Sequence, residues 1–296
     1  MGHDHSHCPK SASSHNVKIA FLLNFAFTII EFAGGLLCNS MAVLADAIHD
    51  LGDTIALGMS WYMEGVSHKK RDQSFSYGYK RFSLLSALIN CVVLITGSIF
   101  ILIESVPRIF APEAIYIPGV FGLALLGIFF NGIAALRLKQ GKTLNEKVVM
   151  WHLLEDLFGW IAILLMCVIM FFWELPVLDP LFSVFFSLVI LVNVIRNLKT
   201  TLSVFLQSIP DSLDLKAIEI ELRALEGVED LHDLHVWSLD GSYHVFTLHL
   251  VVAKQCLESE IPRLKIQAKQ ILMERDVQHV TLEVERAGEP CDLKNC

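Results

Sequence analysis

Ser40-Met41-Ala42-Val43-Leu44-Ala45-Asp46-Ala47-Ile48-His49-Asp50-Leu51-Gly52-Asp53 is a run of small and aliphatic residues into which one histidine and three aspartates are set. His49 and Asp53 stand four positions apart, about one helical turn, so they share a helix face. The same spacing returns in a second apolar stretch, with His152 and Asp156. Charged groups at membrane depth are expensive, which makes each pair a functional hypothesis by default. Two imidazoles with two carboxylates also make up the donor set of a tetrahedral transition-metal site, and zinc is the first candidate.

Working outward, the composition supports a membrane reading of these stretches. The chain has 296 residues, of which 54% are hydrophobic, and its mean hydropathy is +0.53, too apolar for an ordinary soluble domain of this length. The apolar residues fall into six stretches, near 17–38, 43–63, 82–105, 116–138, 146–172 and 180–198, each about long enough to span a bilayer. They predict an α-helical membrane protein with three parts: a flexible His-rich segment over 1–16, a six-helix transmembrane domain over 17–206, and a soluble domain over 207–296.

Orientation follows the basic residues. Lys69, Lys70, Arg71, Lys80 and Arg81 follow the second stretch and Arg137, Lys139, Lys142 and Lys147 the fourth, whereas the connections after the first, third and fifth hold only Arg108. Both termini are therefore expected in the cytoplasm. Residues 1–206 carry 14 acids and 14 bases, and 207–296 carry 17 acids and 9 bases, so the tail accounts for the whole net charge of −8. An acidic tail suits cations and disfavours nucleic acid. The seven cysteines show no disulfide framework, as reduced cytoplasmic thiols would not. The polar His-rich start and the length of the first apolar stretch argue against a cleavable signal peptide.

Within the tail, residues 213–225 have helical periodicity, Gly227 closes that segment, and 228–238 and 243–253 alternate as strands around an Asp240-Gly241 turn. A second helix near 258–275 and a strand near 279–285 complete an α-β-β-α-β order. Both helices are expected on one face of a small sheet.

Residues 40–53 resemble the second-span signature of the cation diffusion facilitator family. Tyr77-Gly78-Tyr79-Lys80-Arg81 with Leu85, Ala87 and Asn90 is similar to that family's entry to its third span, and Val228-Glu229-Asp230-Leu231-His232-Asp233-Leu234-His235-Val236-Trp237-Ser238-Leu239 resembles a segment of its zinc-exporting bacterial branch. The resemblance covers nearly the whole chain. It implies a homodimeric metal/proton antiporter in the membrane lipid, with six spans and a cytoplasmic ferredoxin-like, metallochaperone-like α+β domain. It also implies that His49, Asp53, His152 and Asp156 bind the transported ion, Zn2+ first. With both termini inside, the second and fifth spans run antiparallel, so each pair can supply half of one site. Metal binding needs neutral imidazole and ionised carboxylate, which gives proton coupling a direct basis.

Several of the tail's candidate ligands also resemble the family's, with His232, His249, His279 and Glu285 the best matches and zinc as a regulatory ligand. His235, Cys291 and Cys296 are further candidates, and His244 is set aside. Glu283 stands where some relatives carry histidine. His7 and Cys8 offer ligands in the polar start, and His68 and Asp72 in the connection after the second stretch are too few for a site. Glu31, Asn24, Asp46 and Asp50 read either as an ion pathway or as interhelical hydrogen bonding, and Glu155 either as a pathway carboxylate or as a contact to a neighbouring helix. The compact form, without a His-rich connection over 139–147, points to a bacterial inner membrane.

The expected activity is Zn2+/H+ antiport out of the cytoplasm by alternating access, with no enzymatic activity and no organic cofactor. Two alternatives belong to other classes. A membrane-embedded zinc hydrolase needs an open ligand position and a general base, and a metal sensor driven by the tail needs no intact membrane pairs.

Overall fold

The computed structural model describes residues 10–67, 71–138 and 144–293. His7, Cys8, His68 and Cys296 lie outside the described residues. Six long helices coincide with the six apolar stretches: α1 (Lys10–Cys38), α2 (Met41–Ser67), α3 (Phe82–Phe110), α4 (Ile117–Leu138), α5 (Leu144–Trp173) and α6 (Leu178–Phe205). α1 begins at Lys10, directly after Pro9 and inside the run expected to be flexible. Among the described residues, three helical segments are long and apolar enough to cross a membrane: Phe82–Phe110, Leu153–Trp173 and Leu178–Phe205, with mean hydropathies of 2.4, 2.2 and 2.2. Asn24–Cys38 and Ile117–Ile133 are apolar but shorter. α2 is the helix that carries Asp46, His49, Asp50 and Asp53.

The chain divides into two compact units, Met1–His68 with Ser86–Leu198, and Lys69–Leu85 with Lys199–Cys296. In the first, α1 packs on α2 and α4 on α5. A buried cluster joins Ala42 and Val43 to Val120 and Ala124 of α4 and to Trp160, Ile163 and Met166 of α5. Gly127 admits the Trp160 ring: a Cβ at that glycine would stand 2.3 Å from Trp160 Cδ2. A second cluster joins Leu44 and Ile48 to Leu94 and Ile101 of α3 and to Val194 of α6. Ser105 and Ser183 hydrogen-bond at 2.7 Å between α3 and α6.

The start of α2 is held by two caps. Ser40 Oγ accepts from Val43 N–H at 3.3 Å, an N-cap to the third helical residue. The Asp179 carboxylate, 1% exposed in the first turn of α6, accepts from Ser40 Oγ at 2.5 Å, Met41 N–H at 2.7 Å and Ala42 N–H at 3.3 Å. Backbone donors with no intrahelical partner are thus satisfied without water.

The second unit has α7 (Leu215–Arg223), β1 (Val228–Ser238), β2 (His244–Val252), α8 (Ile261–Glu274) and β3 (Val277–Arg286), the expected order within two residues at most boundaries. β2 is central, antiparallel to β1 and parallel to β3. Phe246, Leu248, Leu250 and Val252 point to one face, where they pack against Ile218 and Leu222 of α7 and Leu264, Ala268 and Leu272 of α8. The i, i+4 spacing of these helical residues makes one apolar stripe on each helix. Both helices therefore cover the same sheet face, as expected from the packing of layers.

The Asp240-Gly241 turn also forms, with Gly241 at φ +94. Asp240 Oδ1 accepts from the N–H groups of Ser242 (3.0 Å) and Tyr243 (2.7 Å) and from Ser242 Oγ (3.0 Å). Lys80 reaches this turn, with Nζ 3.9 Å from Asp240 Oδ2 and 4.6 Å from the centroid of the Tyr243 ring. In the same segment Asp72 accepts from the Ser74 and Phe75 N–H groups and from Tyr79 Oη at 2.8, 2.8 and 2.7 Å. Asp72 is thus engaged in its own turn.

Candidate metal centre

His49 and Asp53 occupy successive turns of α2, with His49 Nε2 3.7 Å from Asp53 Oδ2. Asp156, 8% exposed on α5, meets them: one donor atom from each of the three lies within 4.8 Å of the others. Four ligands around zinc stand roughly 3.3 Å apart, from bond lengths near 2 Å, so small side-chain rotations suffice to close on an ion. His152 lies one turn before Asp156 on α5, and its side chain lies outside the described residues. Glu155 is exposed and not part of this group. Gly159, one turn after Asp156, brings the α5 backbone beside Asp46: a Cβ there would stand 3.5 Å from Asp46 Oδ1.

A second group lies on the sheet face opposite α7 and α8. His232 and His249 are direct partners across β1 and β2, with ring centroids 5.0 Å apart. Glu285 Oε1 lies 2.5 Å from His249 Nδ1 and 3.4 Å from His232 Nε2. Cys291, in the segment after β3, places Sγ 3.4 Å from His232 Nε2 and 3.6 Å from His249 Nδ1. His232, His249, Glu285 and Cys291 make a compact nitrogen, oxygen and sulfur donor set, suited to zinc and its transition-metal neighbours. Burial opposes ionisation of Glu285, but the Cys291 thiol and His249 more than offset it, so its carboxyl stays below the usual range. A Leu293 backbone contact draws the Cys291 thiol down, while burial and Glu285 outweigh it and hold the thiol above its ordinary value.

His279 does not join this group. It pairs with Val245, whereas His249 pairs with Glu283, which puts it four residues along the strand, about 13 Å away at 3.3 Å per residue. Its ring instead meets Tyr77 edge-on, with centroids 5.4 Å apart. His235 is exposed and sits 2.7 Å from Asp233 Oδ1. His244 is buried, 3.4 Å from Ser212 Oγ, and outside the group.

Asp233 escaped the sequence reading. It occupies a β-bulge at φ +52, and its Oδ2 lies 3.5 Å from His249 Nε2. Glu283 Oε2 stands 3.4 Å from the same nitrogen. The signal was present in the three-residue spacing of His232 and His235, since a regular strand sends such residues to opposite faces. The bulge adds one residue and returns both to one face.

Comparison with known proteins places both parts of the chain. Residues 17–206 match the family described as Cation efflux transmembrane domain, and residues 210–287 the one described as Cation efflux protein, cytoplasmic domain. The chain is similar to the Metal cation efflux system protein CzcD of Cupriavidus metallidurans, at 33% identity over 99% of this chain and 92% of that protein. It is 28% identical to the Cadmium, cobalt and zinc/H(+)-K(+) antiporter of Bacillus subtilis, over 96% and 92% of the two chains. It is also 28% identical to the Zinc transporter ZitB of Escherichia coli, over 100% and 96%. With its helical part and its tail matched in order, the chain belongs to the cation diffusion facilitator family of cation efflux proteins.

Proposed function

We propose that this chain exports divalent metal cations from the cytoplasm in exchange for protons, with zinc the principal cargo. The support that carries this reading is the convergence of His49 and Asp53 from α2 with Asp156 from α5, to which His152 is the natural fourth ligand at helical spacing. The names of the relatives, a zinc transporter and a cadmium, cobalt and zinc/H(+)-K(+) antiporter, point the same way.

In this reading α1–α6 are six spans with both termini cytoplasmic, in a bacterial inner membrane, and the tail is a ferredoxin-like domain of a homodimer. Zinc loads from the cytoplasm onto neutral imidazoles and ionised carboxylates, and loading releases protons. An exterior proton returning to the histidines weakens the site and expels the ion. The tail group of His232, His249, Glu285 and Cys291 binds zinc as a regulatory ligand. Neither an enzymatic step nor an organic cofactor has a role, because four ligands close the tetrahedron and leave no open position for a substrate.

Zinc flux into proteoliposomes with an imposed pH gradient tests this. Wild-type chain should show gradient-dependent flux, and Asp53→Ala and Asp156→Ala should each lose it. Flux surviving both changes would move the pathway away from these residues. A metal sensor would instead keep its tail response and show no flux at all.

A further inference from the structure

Asn39 stands between α1 and α2 at φ +54, a left-handed conformation that glycine adopts at less cost. What asparagine adds is a side chain with both polar atoms engaged. Its Nδ2 donates to Glu113 Oε2 at 3.0 Å and to the Ala114 carbonyl at 3.1 Å, and its Oδ1 accepts from Arg108 Nη1 at 2.8 Å. Arg108 Nη1 is also 3.3 Å from Glu113 Oε2, and Tyr116 N–H donates to the Cys38 carbonyl at 3.0 Å. The turn that leads into α2 is thereby tied to the last turn of α3 and to residues 111–116, which lead into α4.

These ties differ in kind from the cap at Ser40, one residue on. Asp179 is buried there, whereas the Glu113 side chain is 54% exposed, so water can replace its partners and the ion pair adds little net stability. Such contacts break and re-form readily. The neighbouring Cys38 is buried against the start of α4, where a Cβ at Gly119 would stand 2.4 Å from its Sγ. Parting the turn from residues 111–116 would uncover this thiol.

Alternating access requires the helix ends on the exterior side to separate before an ion leaves that way. Resting on the transport reading above, which puts this turn at the exterior, we propose that Asn39, Arg108 and Glu113 form a latch that closes the metal site from outside. The latch is shut in this structure and parts in each export cycle. Asn39 stands about 15 Å along the α2 axis from His49, at a rise near 1.5 Å per residue, so the latch acts through the position of a rigid helix rather than on the ion.

Two measurements on the full chain in proteoliposomes test this. Labelling of Cys38 by a membrane-impermeant thiosulfonate from the exterior face should run about fivefold faster or more in Asn39→Gly, which keeps the backbone of the turn, because the open state gains population. Glu113→Ala should behave the same way, and Cys38→Ser assigns the signal. Labelling at the wild-type rate in both variants would overturn the proposal.

The second measurement separates a latch from a turn that merely frays. Asn39→Cys with Glu113→Cys, in a chain carrying Cys38→Ser, is bridged by a short reducible bis-thiosulfonate. Gradient-driven zinc flux should fall on the order of tenfold and return on reduction, as for a gate held shut, while zinc binding stays within about threefold. Flux that survives the bridge would overturn the latch, because the two residues would not need to part, and loss of zinc binding would do so by placing the effect on the ligands. A wild type without zinc flux whose Cys38 still labels faster in Asn39→Gly would refute the transport reading and leave the closure standing.

Discussion

The Asp179 carboxylate on α6 accepts a 2.5 Å hydrogen bond from Ser40 Oγ, so the start of α2 is capped by a residue 139 positions away in the chain. Two N–H groups of α2 bond to the same carboxylate. Hydrogen bonds to a charged group contribute roughly 1.5–3 kcal/mol each, and Asp179 is buried. Replacing it with alanine should destabilise the full chain on the order of 3 kcal/mol, while Asp179→Asn, which keeps one acceptor, should lie between. Thermal unfolding in detergent measures both, and equal melting temperatures for all three chains would deny the cap its role.

Tail metal binding separates the four grouped residues from the distant histidine. In a chain whose membrane site is disabled by Asp53→Ala, Cys291→Ser should weaken zinc binding by tenfold or more, since a hydroxyl is a much poorer zinc ligand than a thiolate. His279→Ala should change it less than twofold. A competition titration with a zinc chelator reads both numbers.

α2 and α3 approach closely where Gly97 meets Ile48: a Cβ at Gly97 would come within 2.6 Å of Ile48 Cγ2. Gly97→Ala should therefore destabilise by about 1–3 kcal/mol through overpacking. Ile48→Val in the same chain does not remove Cγ2 but shortens the other branch, letting the side chain turn, so it should recover part of the loss. Single and double variants compared by thermal unfolding give the coupling between the two sites.

Acid should loosen the tail through particular carboxylates. Arg223 holds the Asp230 carboxyl below its usual range, and Glu285 is held low despite burial. A carboxyl whose folded value is depressed adds stability that is complete above its unfolded value and lost as the pH falls through the folded one. Hydrogen exchange in β1 and β3 should stay slow down to about pH 5 and accelerate below roughly pH 4, near the unfolded carboxylate values. Acceleration already at pH 6 would implicate the histidines instead.

How much of this was legible in the sequence depended on whether spacing alone determined position. His49 and Asp53 at i, i+4 could only share a helix face, and Phe246, Leu248, Leu250 and Val252 could only share a strand face. Gly227 and Asp240-Gly241 marked their turns. Relations between elements were harder to read. His279 was grouped with His249 through the family resemblance, but strand register sets their separation, and register depends on where β2 and β3 begin to pair. Cys291 joined the group through a loop whose path no periodicity records. Asp179 carried no signal of its role in the sequence, and only packing of α6 beside α2 revealed its partner.

The extra residue in β1 has a consequence for sequence length. Deleting one residue from a strand ordinarily throws everything downstream onto the wrong face. Here β1 already holds one residue more than β2 between the His232–His249 and His235–Thr247 pairs. Removing Asp233 would leave Leu234 opposite Leu248, on the helix side it already occupies, and His235 still opposite Thr247. The tail can therefore lose this one residue without a frame error, forfeiting the carboxylate that reaches both His249 Nε2 and His235 Nε2. At this point in the strand a shorter sequence would be the more regular one.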